Sequence, residues 1–477
     1  MKNSKLQQTA NIVIALALIL GVTADPCFAQ TGERKLNIDE RMIHRRAIEV
    51  IVWSQPLMNY KAMRDAFFSN GANYNDVTYY SRLQNWKWQL ATPNSTTPYI
   101  MTFWNLKDGP VIVEIPASTA DVGIFGTLMD SWQRPLEDVG AKGKDGGRGG
   151  KYVILPPGYR GPLLPGSFTM QSQTYQGYSI MRPILKSPSP ENLAKAAAFV
   201  KNLKVYPLAD VGKKAKTRHI DIYDKNFEGI TKWDASYFEG LSDILQEEKI
   251  EERDLAYWGM AATLGIRKDV PYKADAKRKK LLDEAAAEAL EYMIHQYHEV
   301  LIPPYYAGKQ WTTTATPGIF ETTCSWIYPD RIAIDERGTQ YYAVCTSVKN
   351  FGAATFYLDL SLDSKGQWMD GAKDYKLVVP ANVPVRNFWS VEVYDVDTAA
   401  WLRGVERTGR DSTKTDLKRN QDGSVDLYFG PNAPQGKRSN WIPTLPDKRF
   451  FLLFRFYGPE RAVFDKTWQL SDIEEIK

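Results

Sequence analysis

The residues of this sequence best suited to chemistry are polar side chains set among aromatics. One group is Asn94, Thr97, Tyr99, Asp130, Trp132 and Arg182. An arginine holds an anionic or hydroxylated ligand through charge-assisted hydrogen bonds, a carboxylate can accept a proton, and an indole supplies a stacking wall. Asp130 and Arg182 are therefore the catalytic candidates, and Asn94, Thr97, Tyr99 and Trp132 the ligand-binding ones. The bland alternative is a turn-forming Asn, a loop-capping Asp and an Arg–Asp pair. A second group is Asn387, Trp389, Asn440, Trp441 and Arg455. Amide and indole side chains together suit sugar hydroxyls and ring faces, and they fill cores equally well. A third feature is the Gly-rich run 140–152 with Lys142, Lys144 and Arg148, which could close over an anion or be a long turn.

Metal chemistry has one weak candidate. Glu291, His295 and His298 recur at helical spacing and could converge on an ion, although a solvated helix face has the same spacing. No cofactor is implied. There is no Gly-x-Ser-x-Gly elbow and no His-Glu-x-x-His pair, and the chain has only four His. The Gly-rich run fails as a phosphate loop, because Asp145 and Tyr152 stand where a Gly and a Ser or Thr are needed.

The elements that must position these residues alternate in texture. Leu36 to Phe68 reads as helix, with Pro56 forcing a kink or break. From Asn75 to Leu185, short runs rich in β-branched and aromatic residues are bounded by Gly, Pro or Asn, as in an all-β sandwich or barrel. Helical spacing returns at Pro190–Leu203, Asp234–Leu245, Glu251–Leu264 and Ala274–Leu301. From Trp311 the pattern is β again, including YYAVCTSV, ATFYLDLSL, FWSVEVYD and RFFLLFRFYGP. The expected organisation is a signal peptide at 1–29, a helical segment at 30–74, an N-terminal β-sandwich at 75–187, a helical linker at 188–303 and a C-terminal β-sandwich at 304–477. The fold class is multidomain α+β, because strands do not alternate with helices as a doubly wound fold requires.

Composition and address narrow the function. Over 477 residues, Lys+Arg 60 against Asp+Glu 56 gives only +4, so nucleic acid is not an expected partner. The apolar run Ile12–Val22 behind Lys2 and Lys5 is shorter than the ~20 residues that span a bilayer. With small residues before Gln30 it reads as a cleaved signal peptide, giving a periplasmic or secreted chain without a membrane span. Export permits disulfides, and Cys324 and Cys345 either pair or remain two buried thiols.

An ordered series of motifs carries a resemblance. TPNSTTPY (92–99), NLKDGPVIVEIP (105–116), LMDSWQRP (128–135), YVILPPGY (152–159) and Arg182 are followed by MDGAKDYKLVVP (369–380), NFWSVEVYD (387–395), DGSVDLYF (422–429), SNWIPTLP (439–446) and FLLFRFYGP (451–459). In order and spacing the chain resembles the exported bacterial proteins that pair domains of unknown function 1254 and 1214. The resemblance implies two jelly-roll-like β-sandwiches joined by a helical region, and no established activity. The family motif runs Thr-Pro-Asn-x-Asp-Thr-x-Tyr; Thr96 stands at the Asp position, so an acid/base role resting on that carboxylate is absent here.

Two functions fit these residues. One is binding or hydrolytic processing of a small hydroxylated or anionic organic ligand in the bacterial envelope, in a cleft between the β domains or at one sandwich mouth. The other is a non-catalytic envelope interaction or assembly protein, for which a homo-oligomer is expected.

Overall fold

Asn37 starts the first helix with a capping box: its side chain accepts from the Glu40 backbone N–H at 2.9 Å, and the Glu40 carboxylate accepts from the Asn37 N–H at 3.0 Å. The helix, Ile38–Ser69, runs through Pro56 rather than ending there. Residues from Val50 to Tyr60 are buried without interruption, so this helix is packed on all sides. Pro56 has no N–H for the Val52 carbonyl. Gly338 lies against that carbonyl so closely that a Cβ would sit 2.3 Å from its oxygen, while Arg337 Nη2 donates to the next carbonyl, Trp53, at 3.1 Å. The computed structural model describes residues 36–476 except 215, 345–347 and 350–354. The expected signal peptide and Cys345 lie outside the described residues; Cys324 is buried.

The architecture is mixed α+β. The N-terminal β unit has a six-stranded sheet, in the order His219–Asp221, Val77–Tyr79, Ile100–Asn105, Gln176–Leu185, Val122–Asp130 and Pro135–Gly140. Its four-stranded partner is Lys204–Pro207, Val111–Ile115, Gly150–Leu155 and Phe168–Gln171. One core holds Ile100, Trp104 and Ile124 from the first sheet with Val111, Val113 and Tyr152 from the second. The strands Lys204–Pro207 and His219–Asp221 come from sequence expected in the helical linker, yet they complete these two sheets.

The C-terminal unit repeats the plan. A five-stranded sheet (Thr312–Thr313, Thr355–Leu360, Phe450–Pro459, Val385–Asp395, Gly409–Asp411) packs on a four-stranded one (Trp441–Pro443, Val425–Gly430, Asp374–Val379, Glu474–Ile476). Their shared core includes Leu358, Val391, Phe454, Leu377 and Leu427.

The helices form a third body around Ile38–Ser69. Ser236–Glu247, Leu255–Thr263 and Ala276–His295 fall near their expected places, the last ending in a π-turn at Gln296–Val300. The stretch after Trp311 is not all β. Pro317–Glu321 and Ile334–Ala343 are helices, so the YYAV run read as strand is a helix end, buried from Arg337 to Ala343. A core shared by Trp53, Tyr60, Tyr99, Tyr178, Tyr394, Phe451 and Leu453 joins the helical body to both β units. Among the described residues no helix is long and apolar enough to cross a membrane.

Candidate functional site

Side chains alternate across a strand, and in the five-stranded sheet one face is apolar while the other mixes polar and apolar residues. Leu358, Phe454 and Val391 align on the face turned to the four-stranded sheet. On the opposite face the register aligns Tyr357 with Arg455 and Ser390, and Asp359 with Leu453 and Glu392. This mixed face meets the motif loop 92–99 of the N-terminal unit.

Glu392 and Arg455 organise the contact. The Arg455 Nη1 donates to Glu392 Oε2, and both side chains are almost wholly buried. Arg455 Nη2 then donates to the backbone carbonyls of Thr92 at 3.1 Å and Pro93 at 3.0 Å. Glu392 accepts from the Ser95 N–H at 2.8 Å and from the Tyr394 hydroxyl at 2.7 Å. A buried ion pair needs such extra hydrogen bonds to offset its desolvation. The ring is completed by Asn94 Nδ2 donating to the Tyr457 hydroxyl at 2.7 Å, and by Thr96, whose hydroxyl lies 2.7 Å from Tyr457 and donates to Asn94 Oδ1 at 2.6 Å. Thr96 thus ties the motif loop to Tyr457.

Arg182 enters from the strand Gln176–Leu185. Its guanidinium lies 4.7 Å from the centre of the Tyr99 ring, and Nη1 reaches the Tyr357 hydroxyl at 3.5 Å. Tyr357 also has Arg455 5.3 Å from its ring centre. Arg182 and Tyr357 are half-buried, whereas Tyr99, Asn94, Tyr457 and Arg455 are buried. No described carboxylate lies within ion-pair distance of Arg182. Burial pushes the Tyr357 hydroxyl upward, but the guanidinium groups of Arg182 and Arg455 outweigh it and leave the group below the ordinary tyrosine value. In Tyr457 burial prevails and the hydroxyl is pushed up to about 12; Tyr99 is raised for the same reason. One phenol facing two cations, of which Arg182 has no carboxylate partner among the described residues, is an arrangement able to hold an anion and exchange a proton with it.

The other sequence candidates are distributed elsewhere. Asp130 pairs with Gly177 on the strand pair where Arg182 pairs with Phe125, five residues along and thus about 17 Å away at ~3.3 Å per residue. Its carboxylate takes Arg134 Nε at 2.5 Å and the Trp132 and Arg134 N–H groups at 2.9 and 3.0 Å, which is a turn-closing arrangement. Trp132 is buried with Arg253 and Arg337 5.6 and 5.3 Å from its ring centre. Thr97 lies in the motif loop, its buried hydroxyl without a hydrogen-bond partner.

Trp389 is on the apolar face of the C-terminal sheet, opposite to Arg455, stacked 5.4 Å from Phe454, and Asn387 is exposed. Asn440 closes a loop, donating to the Lys418 and Asp426 carbonyls at 2.8 Å, and Trp441 donates to Gly430 at 2.9 Å. In the Gly-rich run, Asp145 accepts from Gly140, Gly149 and Tyr152 at 2.6, 3.0 and 2.8 Å and so fixes the loop.

The helical trio does not converge. His295 is exposed 3.5 Å from Glu299, while His298, carried round by the π-turn, is buried with Nδ1 2.6 Å from the Ser361 hydroxyl and Nε2 3.3 Å from that of Tyr342. Among the described residues no group of three His, Cys, Asp or Glu is placed to hold a metal.

Of the sequence candidates, Asn94, Tyr99, Arg182 and Arg455 therefore come together, and Thr96, Tyr357, Glu392, Tyr394 and Tyr457 join them. Thr96 belongs to the motif loop, and the others carried a signal: Tyr357, Glu392, Tyr394 and Tyr457 bring a polar group to alternate positions of largely apolar strands.

The comparisons with known proteins bear on family and fold. Residues 74–207 match the model of a protein of unknown function, DUF1254, and residues 354–461 that of a protein of unknown function, DUF1214. A search of curated proteins gives no match. Among solved structures, the VPA0106 protein from Vibrio parahaemolyticus superposes with a TM-score of 0.51 at 16% identity, over 91% of this chain and 100% of its own. A putative uncharacterized protein from Burkholderia cenocepacia has a TM-score of 0.41 at 12% identity, over 92% of this chain and 96% of its own. Both the matched segments and their order, DUF1254 before DUF1214, are those of the paired-domain family, and the chain belongs to it.

Proposed function

We propose that this chain binds a small anionic, hydroxylated organic molecule between its two β units. Arg182 holds the charge, and Tyr357 takes a proton from a ligand hydroxyl or returns one to it. The observation carrying this reading is the meeting of Arg182, which has no described carboxylate partner, with the Tyr357 hydroxyl at 3.5 Å in a half-buried setting. Glu392, Arg455, Asn94, Thr96 and Tyr457 are the rigid wall behind them, already committed to one another and serving to position rather than to bind. In this reading each β unit is a jelly-roll-like sandwich, the helices are the linker that fixes the angle between them, and the signal segment sends the chain to the periplasm or beyond. The partially depressed Tyr357 suits proton exchange at a hydroxylated carbon, and hydrolysis of a ligand ester or lactone would use the same group.

A thermal-shift screen with sugar acids, hydroxy acids and sugar phosphates tests the reading. A ligand present at one hundred times its Kd stabilises the folded chain by about 2.7 kcal/mol. A rise in melting temperature with at least one of these anions, and none with the matching neutral sugars, is the expected result. Equal response to neutral and anionic members removes the role given to Arg182.

A further inference from the structure

The five-stranded sheet of the C-terminal unit has a second side with its own opening. An open cavity of about 360 Å³ lies where the two C-terminal sheets part at one end, lined by Val379, Val383, Val385, Trp389, Val425 and Arg419. Val379 and Val425 are paired at the ends of their strands in the four-stranded sheet, and Val385 opens the strand Val385–Asp395 in the other. The volume is near the lower end of the roughly 300–1,000 Å³ found for small-molecule sites, and the lining is mixed: the half-buried Val383 and Val385 stand beside Asn382, Ser412, Arg419 and Asp422. Trp389 is held there by its ring, which stacks on Phe454 at 5.4 Å, and by its backbone N–H, which donates to the Ser412 hydroxyl at 3.1 Å.

The mouth has two charges of different availability. Asp422 turns its carboxylate onto the Ser424 N–H at 3.0 Å and hydroxyl at 2.6 Å, which holds it below the usual carboxylate range. Arg419 is exposed and makes no hydrogen bond or ion pair among the described residues. We propose that this cavity is a second small-molecule site, taking a carboxylic acid with an aromatic or medium-chain body: the body lies against the half-buried Val383 and Val385, and the carboxylate meets Arg419. The sheet itself separates this site from Tyr357 and Arg455, because Trp389 and Arg455 belong to opposite faces.

Calorimetric titration of the full chain with octanoate, benzoate and octan-1-ol tests the proposal, with Arg182→Ala as a control for the site between the β units. The expected result is saturable binding of octanoate or benzoate, unchanged in Arg182→Ala. It is weakened about fivefold in Arg419→Ser, the loss of one exposed ion pair. Val383→Trp, which fills the cavity from a half-buried rim position, abolishes it while circular dichroism is preserved. Ala381→Trp fills the same mouth from the neighbouring loop and serves if Val383→Trp does not fold. The proposal is overturned if neither acid binds, if octan-1-ol binds as tightly as octanoate, or if binding survives in a folded cavity-filling variant.

Discussion

Arg182, from the N-terminal β unit, meets the hydroxyl of Tyr357, from the C-terminal one, at 3.5 Å. The phenol also faces Arg455 across its own sheet, so two cations favour its ionised form against burial. For an acid whose folded value is depressed, the linked stability is present above the unfolded value and lost as pH falls through the folded one. Its signature is therefore alkaline. Ultraviolet difference titration should show one tyrosine ionising ahead of the rest, absent in Tyr357→Phe and displaced upward in Arg182→Ala. An unaltered leading edge in Tyr357→Phe assigns it to another residue.

The Glu392–Arg455 pair should behave as a buried ion pair at the junction of the β units. Glu392→Gln leaves Arg455 buried without a countercharge, a loss of about 3–5 kcal/mol. Adding Arg455→Met should restore part of it, since no buried charge is then left without a partner. Urea unfolding of the single and double variants checks this. Additive losses would mean that the two side chains are not coupled.

Glu248 gives the chain a pH dependence in the neutral range. Burial raises its carboxyl from 4.5 to about 7, against the opposing N–H groups of Tyr175 and Gln176 and the Ser131 hydroxyl. A raised folded value means full stability below the unfolded value and loss as pH rises through the folded one. Between about pH 4.5 and 7 the chain should lose on the order of 3 kcal/mol from this group. Glu248→Gln should flatten the slope, as measured by urea melts at several pH values; an unchanged slope assigns it elsewhere.

Gly338 should be irreplaceable for a steric reason. A Cβ would sit 2.3 Å from the Val52 carbonyl, at the turn where Pro56 interrupts hydrogen bonding, so Gly338→Ala should cost about 1–3 kcal/mol. Gly259 is a fair comparison, being helical and exposed with open space around its Cα. Gly259→Ala should instead gain up to ~1 kcal/mol from helix propensity. Thermal melts of both variants decide, and a neutral Gly338→Ala would contradict the close packing of the two helices.

Much of the fold was legible because local pattern and final environment agree. The Ala276–His295 helix keeps its apolar spacing, and FFLLFRFYGP is a strand in both readings. The start of YYAVCTSV looks like strand because it is aromatic, yet it ends the helix Ile334–Ala343, where tertiary packing overrides that preference. At the site, Arg182, Asn94, Tyr99 and Arg455 stood out as polar groups among aromatics. Tyr357, Glu392 and Tyr457 did not, because a polar residue at alternate strand positions normally faces water. Here that face meets another β unit, a fact that only the three-dimensional arrangement supplies. Asp130 and Trp132 had the right chemistry, but Arg134, Arg253 and Arg337 already occupy it.

The central claim is that Arg182 is the anion-binding residue of a site between the β units. Calorimetric titration of the best anion from the sugar-acid, hydroxy-acid and sugar-phosphate screen into the wild type, Arg182→Ala and Arg419→Ser tests it most directly. Losing a charged hydrogen bond of about 1.5–3 kcal/mol should weaken binding by roughly ten- to hundredfold in Arg182→Ala and leave it unchanged in Arg419→Ser. Equal affinity in the wild type and a folded Arg182→Ala would contradict the account.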